Sequence, residues 1–294
     1  MRKVEMKITG FLKHLPAYQV LIYTLVVLIF LFTIVPFCWL IISSISIKTE
    51  LLSVPPHWIP KNPTLRSYKE ILFGGTRTTR AARYFKQAVG NSIIVAGSAT
   101  VLCLVIGSIA SYSFTRLRFR GRHSLLLMIL ATQMIPAVAI IIPIYVVMMT
   151  LRLLDTHLGL FITYSSFVLP LMIWIMMGYF QTIPIDIEDA ARIDGCSRLG
   201  ALVRVVLPLA APGLAATGIF AFIVAWNEFF LALILTEAAA KTLPVLVSEF
   251  STKFGADYVM MSTGGVLASL PPVILALTFQ KFIIKGLTGG AIKG

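Results

Sequence analysis

Long uncharged runs alternate with polar segments along this chain. The runs cover residues 20–47, 91–115, 124–151, 158–183, 209–236 and 258–280, and only the fifth is interrupted, by Glu228. About 20 apolar residues suffice for a helix to cross a bilayer, so each run predicts a transmembrane helix. None shows the short alternating repeats of a membrane-spanning strand, which argues against a β-barrel. The first run exceeds the apolar core of a signal peptide, about 7–15 residues, and Trp39-Leu40-Ile41-Ile42 has no small-residue cleavage character. It reads as an uncleaved first span.

Two polar segments interrupt this pattern at length. Residues 48–88 contain Pro55-Pro56-His57-Trp58-Ile59-Pro60-Lys61-Asn62-Pro63-Thr64, too rich in proline for a helix interior. They predict a turn-rich loop outside the membrane. Arg83-Tyr84-Phe85-Lys86 reads as an interfacial lead-in to the second span.

The second segment, residues 184–208, holds four of the twelve acidic residues, Asp186, Glu188, Asp189 and Asp194, with Arg192, Arg198 and Arg204. It predicts two short helices joined at Gly195. Pro184 suits a first helical turn, where its missing N–H would be unpaired anyway. Asp186, Glu188 and Asp189 place negative charge near the positive end of the helix dipole. Ala190 and Ala191 favour helix. Gly195 can take a positive φ and end the first helix, and Ser197 can cap the second. Leu199, Leu202, Val203, Val206 and Leu207 then predict one apolar face, with Pro208 ending the helix. The segment is longer than a helix–helix connection requires. Its small residues beside an acidic cluster form a surface that another protein can approach closely.

Composition agrees with the pattern. The chain of 294 residues is 58% hydrophobic and 13% charged, against about 25% charged in soluble domains. Its net charge of +13 resides in cations between apolar runs, where they set topology and meet anionic headgroups. No basic helix or RNA motif accompanies the charge, so nucleic acid is not an expected partner. Cys38, Cys103 and Cys196 are far apart, and His14, His57, His123 and His157 lack ligand spacing. No metal site is expected.

With the N-terminus inside, 14 of the 25 basic residues fall on inner segments. Arg116, Arg118, Arg120 and Arg122 decide the orientation, since four cations in so short a loop are costly to translocate. Both termini and residues 184–208 are then expected in the cytoplasm.

The spacing in 184–208 resembles the "EAA" signature of inner-membrane subunits of bacterial ABC importers. Asp189-Ala190-Ala191 is followed after three residues by Gly195, and nine residues later by Val205-Val206-Leu207-Pro208. Asp189 stands where the signature has Glu, and Val205 where it has Ile. Further stretches are similar to the maltose-type carbohydrate permeases, specifically the second, smaller permease of the pair. They are Pro60-Lys61-Asn62-Pro63-Thr64, Tyr112–Arg122, Ile193-Asp194-Gly195, Trp226-Asn227-Glu228-Phe229-Phe230 and the tail from Lys285 to Gly294.

The resemblance implies an all-α integral membrane protein with six transmembrane helices in the type I importer permease fold, located in the bacterial inner membrane. It implies a coupling helix in which Glu188, Asp189, Ala190, Ala191, Asp194, Gly195, Leu207 and Pro208 meet an ATPase. It also implies a second permease subunit, two ATPase subunits and an extracytoplasmic sugar-binding protein as partners. A sugar such as maltose or trehalose would be the cargo.

The chain has no Gly-Lys pair, so the phosphate-binding G-x-x-x-x-G-K-[S/T] loop is absent. No enzymatic activity and no cofactor are expected in this chain, with ATP and magnesium on the partner ATPases. Glu228 is the clearest intramembrane ionisable residue and hence a functional candidate. Trp226, Asn227, Glu228 and Gln133 are the candidate pathway residues. An inter-helix bonding role for Asn227 and Glu228 weighs equally. Trp174 and Tyr179 are weaker candidates. Pro36, Pro136, Pro143 and Pro170 are candidate kinks. The loop Glu237–Asp257 would face the binding protein, and the tail from Gly286 the ATPases. The rival class is a self-sufficient secondary transporter or channel. That class would show repeated halves and several intramembrane charges, neither of which is visible.

Overall fold

The computed structural model describes residues 17–55, 57–74, 80–252 and 255–289. The cationic segment carrying Arg2, Lys3, Lys7 and Lys13 lies outside the described residues, as do His14, Pro56, Lys253 and the tail beyond Gly289.

The helices are α1 (Ala17–Ile45), α2 (Arg66–Phe73), α3 (Arg80–Arg116), α4 (Arg122–Ala131), α5 (Ala137–Thr150) and α6 (His157–Gln181). They continue with α7 (Ile185–Ile193), α8 (Arg198–Leu209), α9 (Ala211–Trp226), α10 (Phe230–Leu235), α11 (Leu243–Ser248) and α12 (Tyr258–Gly289). A two-residue ladder, Ser251–Thr252 against Gly255–Ala256, is the one strand pair among the described residues. The molecule is thus helical, as its hydropathy predicts.

Four helices, α1, α3, α6 and α12, are long and apolar enough to cross a membrane, and up to six spans result if each of two bent pairs counts as one. The third and fifth uncharged runs are not single rods. Helices α4 and α5 meet at 97°, and the fifth run is broken between α9 and α10; at its start α8 meets α9 at 82°. Pro136 stands at the first break, before α5. Pro36, Pro143 and Pro170 lie within helices.

Two compact units divide the chain: Met1–Glu70 with Ser251–Val266, and Ile71–Phe250 with Leu267–Gly294. In the first, α1 is apolar and exposed over nearly all of residues 18–38, and becomes buried only at its end, at Ser43 and Ser44. A continuous apolar surface of this kind needs lipid or another protein against it. At its end Ser44 Oγ pairs with the Tyr68 hydroxyl at 2.7 Å, and Thr64 N donates to Ile45 O at 2.8 Å. The Glu50 carboxylate accepts from Lys61 N at 3.1 Å and Asn62 Nδ2 at 3.0 Å, which folds the proline-rich loop back. Residues 48–88 are less irregular than their sequence predicts. They include α2, a single turn at Lys48–Leu51, and the start of α3.

In the second unit the Arg83–Lys86 lead-in is continuous with the span, and α3 runs for 37 residues. Ala81, Ala82, Phe85 and Ala88 are buried while Arg83, Tyr84 and Lys86 are exposed, the spacing of one helical face. The core joins α3, α6 and α9: Cys103 packs with Val168, Met172 and Ala221. Nearer the end of α3, Phe114 packs with Ile173 and Met177. The last layer joins Tyr112, Met176, Phe180 and Ile183 to Leu202, Val206 and Ala210. This layer seats the polar segment 184–208 on the ends of α3 and α6. A Cβ on Gly213 would lie 2.4 Å from the Tyr179 ring, so α9 starts in direct contact with α6.

Candidate functional site

The polar segment folds into an elbow made of α7 and α8. Pro184 is extended, with ψ 136°, and sits one residue before α7 rather than in its first turn. Asp186 and Glu188 fall in that first turn, where carboxylates complement the helix dipole. The helix closes through a Schellman arrangement. Gly195 has φ +93°, Gly195 N donates to Arg192 O at 3.1 Å, and Cys196 N donates to Ala191 O at 3.0 Å. Both bonds satisfy carbonyls that the helix end leaves free. Asp194 is the exposed residue preceding the turn. A Cβ at 195 would meet nothing within 4 Å, so within this chain Gly195 answers a conformational demand and leaves open space outward.

Ser197 caps α8 by accepting from Gly200 N at 3.1 Å. The apolar face foreseen for this helix is split. Residues Leu202–Val206 form a π turn, which adds one residue to the turn and rotates the register. Leu202 and Val206 are buried whereas Leu199 and Val203 are exposed. Burying the former two contributes about 1.5–3 kcal/mol each. Leu207 is half-buried against the same core. The exposed Pro208 does not end the helix, which runs to Leu209 before the bend at Ala210.

The two adjacent carboxylates point to different places. Glu188 is buried. Its Oε1 accepts from the Tyr112 hydroxyl, and its Oε2 lies 3.0 Å from Arg116 Nε. The Arg116 N–H is not aligned with that oxygen, so this contact is an ion pair rather than a hydrogen bond. Asp189 is 54% exposed by side chain, with only a 3.4 Å contact to Arg192, a surface pair of little energetic weight. Ala190 is exposed and Ala191 half-buried. At the tip, Ile193 is 87% exposed. In sequence, Ile193, Tyr112 and Arg116 stand out only within stretches resembling the permease family, Arg116 also as a topology cation, so their places at the elbow are not foreseen. An isoleucine beside an Asp-Gly turn was the available signal for the first.

The pathway candidates lie at helix breaks. Gln133, at the bend between α4 and α5, donates to Phe167 O at 2.8 Å. Glu228 lies between α9 and α10, its Oε1 accepting from Leu231 N at 2.8 Å. The Glu228 carbonyl accepts from the Tyr164 hydroxyl at 3.4 Å. Tyr164 and Phe167 are one turn apart on α6, so both breaks are tied to the same stretch of that helix. Asn227 is exposed and bonds to Ile223 O at 2.9 Å within its own helix. Trp226 is buried, donates to Ala268 O at 3.1 Å and packs on Phe222. Its indole is occupied within the fold.

At the opposite ends of these helices, a loop residue that the sequence does not flag organises residues 237–240. Asp155, at φ +54°, accepts from four successive backbone N–H groups, Glu237, Ala238, Ala239 and Ala240, at 2.9–3.2 Å. Asn91 Nδ2 also donates to Ala239 O and Lys241 O, each at 2.9 Å. Burial alone would raise the Asp155 carboxyl, but the four N–H groups outweigh it and hold its pKa below the ordinary value. Stability from a depressed carboxyl is complete above the unfolded value, about 3.9, and is lost as pH falls through the lower folded one. Amide protection at 237–240 is therefore expected to be constant between pH 5 and 7 (about one to three units above that value). Asp155→Asn should lower it about tenfold throughout, the effect of losing a charge-assisted bond. Unchanged protection in the variant would show that other contacts hold this loop.

Fold and site together define a multi-pass membrane protein with a capped helical elbow between two of its spans. The chain belongs to the family of binding-protein-dependent transport system inner membrane components, whose model matches residues 103–289. It is similar to the sulfoquinovosyl glycerol transport system permease protein of Agrobacterium fabrum, 35% identical over 88% of each chain. It is likewise similar to the trehalose/maltose transport system permease protein of Thermococcus litoralis, 34% identical over 88% of this chain and 91% of the other. Its fold matches a chain of a bacterial ABC transporter involved in the import of the acidic polysaccharide alginate. That match has a TM-score of 0.74 and 24% identity, and covers 90% of this chain and 95% of that one. The type I importer permease fold implied by the sequence is therefore the fold observed. Membership in a binding-protein-dependent system favours the importer over a self-sufficient secondary transporter or channel.

Proposed function

We propose that this chain is one permease subunit of an ATP-driven importer for a di- or oligosaccharide. It pairs with a second permease, receives its cargo from an extracytoplasmic binding protein and is driven by two ATPase subunits. ATP and magnesium reside on those ATPases. The observation that carries this reading is the elbow, a helix closed by a left-handed glycine that presents Asp189, Ala190 and Ile193 outward beside open space. Such a surface suits a cleft on a moving partner. The carbohydrate class is supported by relatives whose names specify trehalose/maltose, diacetylchitobiose and trehalose.

The chain lies in the bacterial inner membrane with both termini and the elbow in the cytoplasm, an orientation favoured by Arg116, Arg118, Arg120 and Arg122. Asp189 and Ile193 meet the ATPase. Leu207 anchors the second arm of the elbow on the core, with Pro208 exposed beside it. Gln133, Asn227 and Glu228 border the sugar path at the two helix breaks, where polar groups can stand within a span.

The test is reconstitution of this chain with its cognate partners in liposomes. A second permease and an ATPase are expected to co-purify, and uptake of a labelled disaccharide presented on the binding protein should require ATP. Uptake by this chain alone, independent of ATP, would overturn the reading.

A further inference from the structure

This inference rests on the proposed function and concerns how work leaves the elbow once an ATPase has delivered it. Arg116 is the last residue of α3, and Tyr112 precedes it by one turn, so both side chains lie on one face. The Arg116 Nη2 donates to Phe180 O at 3.1 Å and Ile183 O at 2.7 Å. Those carbonyls belong to the end of α6 and the residues just beyond it, where helix carbonyls lack intrahelical partners. The same guanidinium faces Glu188 of α7, which also takes the Tyr112 hydroxyl. The Arg116 and Glu188 side chains are only 9% and 6% exposed. A pair so withdrawn from water is little screened, and removing one partner leaves an uncompensated buried charge.

The other connection of α7 is of a different kind. It passes through a left-handed glycine, a π turn and an 82° bend before reaching α9. The polar contacts of Glu188 thus fix α7 directly to two helix ends, while α8 rests on the same ends through the apolar side chains of Leu202 and Val206.

We propose that Glu188 is a positioning residue for transport. Through Arg116 and Tyr112 it ties α7 to the ends of α3 and α6, so that displacement of the elbow moves those two spans together. Asp189, one residue along, remains free to meet the ATPase. Adjacent helical residues point about 100° apart, so one carboxylate can face inward while the next faces out.

The complete transporter tests this, through the ratio of sugar transported to ATP hydrolysed and through retention of the ATPase on purification. Glu188→Gln keeps an acceptor for Tyr112 and removes the charge facing Arg116. It is expected to retain the ATPase and to lower the transport ratio about tenfold. Tyr112→Phe should lower it in the same direction, and it decides the matter if the Gln variant fails to fold. A ratio at the wild-type value in Tyr112→Phe and in folded Glu188→Gln overturns the proposal. Loss of the ATPase from Glu188→Gln, with retention in Asp189→Asn, also overturns it by making Glu188 the docking carboxylate. If the wild-type complex itself shows no ATP-dependent uptake, the function beneath the proposal fails and both are overturned.

Discussion

Replacing Gly195 with leucine is expected to lower sugar uptake more than about tenfold while ATP hydrolysis by the assembled transporter continues. Gly195 holds φ +93°, and a residue with a Cβ pays strain of about 1–3 kcal/mol there. The Schellman bonds from Gly195 N and Cys196 N depend on that turn. Space inside the chain is not the obstacle, since a Cβ meets nothing within 4 Å. A leucine would instead project outward, into the volume assigned to the ATPase. Gly195→Asn separates the two effects, because asparagine visits the left-handed region at low cost. It should keep the elbow shape and retain more uptake than leucine. Full uptake by Gly195→Leu would show that the turn takes no part in coupling.

The second large effect belongs to Ile193. It is 87% exposed at the tip of α7, where an isoleucine gains nothing from the chain that carries it. If the ATPase buries it, Ile193→Asp should weaken ATPase retention by about 2 kcal/mol, roughly 30-fold in affinity. The chain itself should insert and fold as before, because the side chain buries little within it. ATPase bound at the wild-type affinity would move the docking surface elsewhere on the molecule.

The elbow was readable in sequence to the extent that its parts are local. Gly195 as a helix terminator and Ser197 as a cap follow from residue type, and both are realised. The apolar face of α8 was not readable, because a π turn depends on how Leu202 and Val206 meet Met176 and Phe180. Pro136 marked the first bend in sequence but not its 97° angle, since hydropathy remains high through that break. The bend at Ala210 falls two residues after Pro208, where residue type predicts the helix end. The roles of Glu188 and Asp189 could not be separated from spacing. Two adjacent carboxylates look alike until Arg116, 72 residues earlier in the sequence, is brought beside one of them. Asp155 was missed because an isolated loop aspartate carries no motif, and its four donors come from a segment about 80 residues away.

The most direct test of the elbow as the receiver of mechanical work is a photo-crosslinking amino acid at position 193 in the complete transporter. The account predicts one dominant adduct, to the ATPase subunit, lost when the ATPase is stripped from the membrane. Adducts confined to lipid or to this chain itself, with the ATPase still bound, would contradict it.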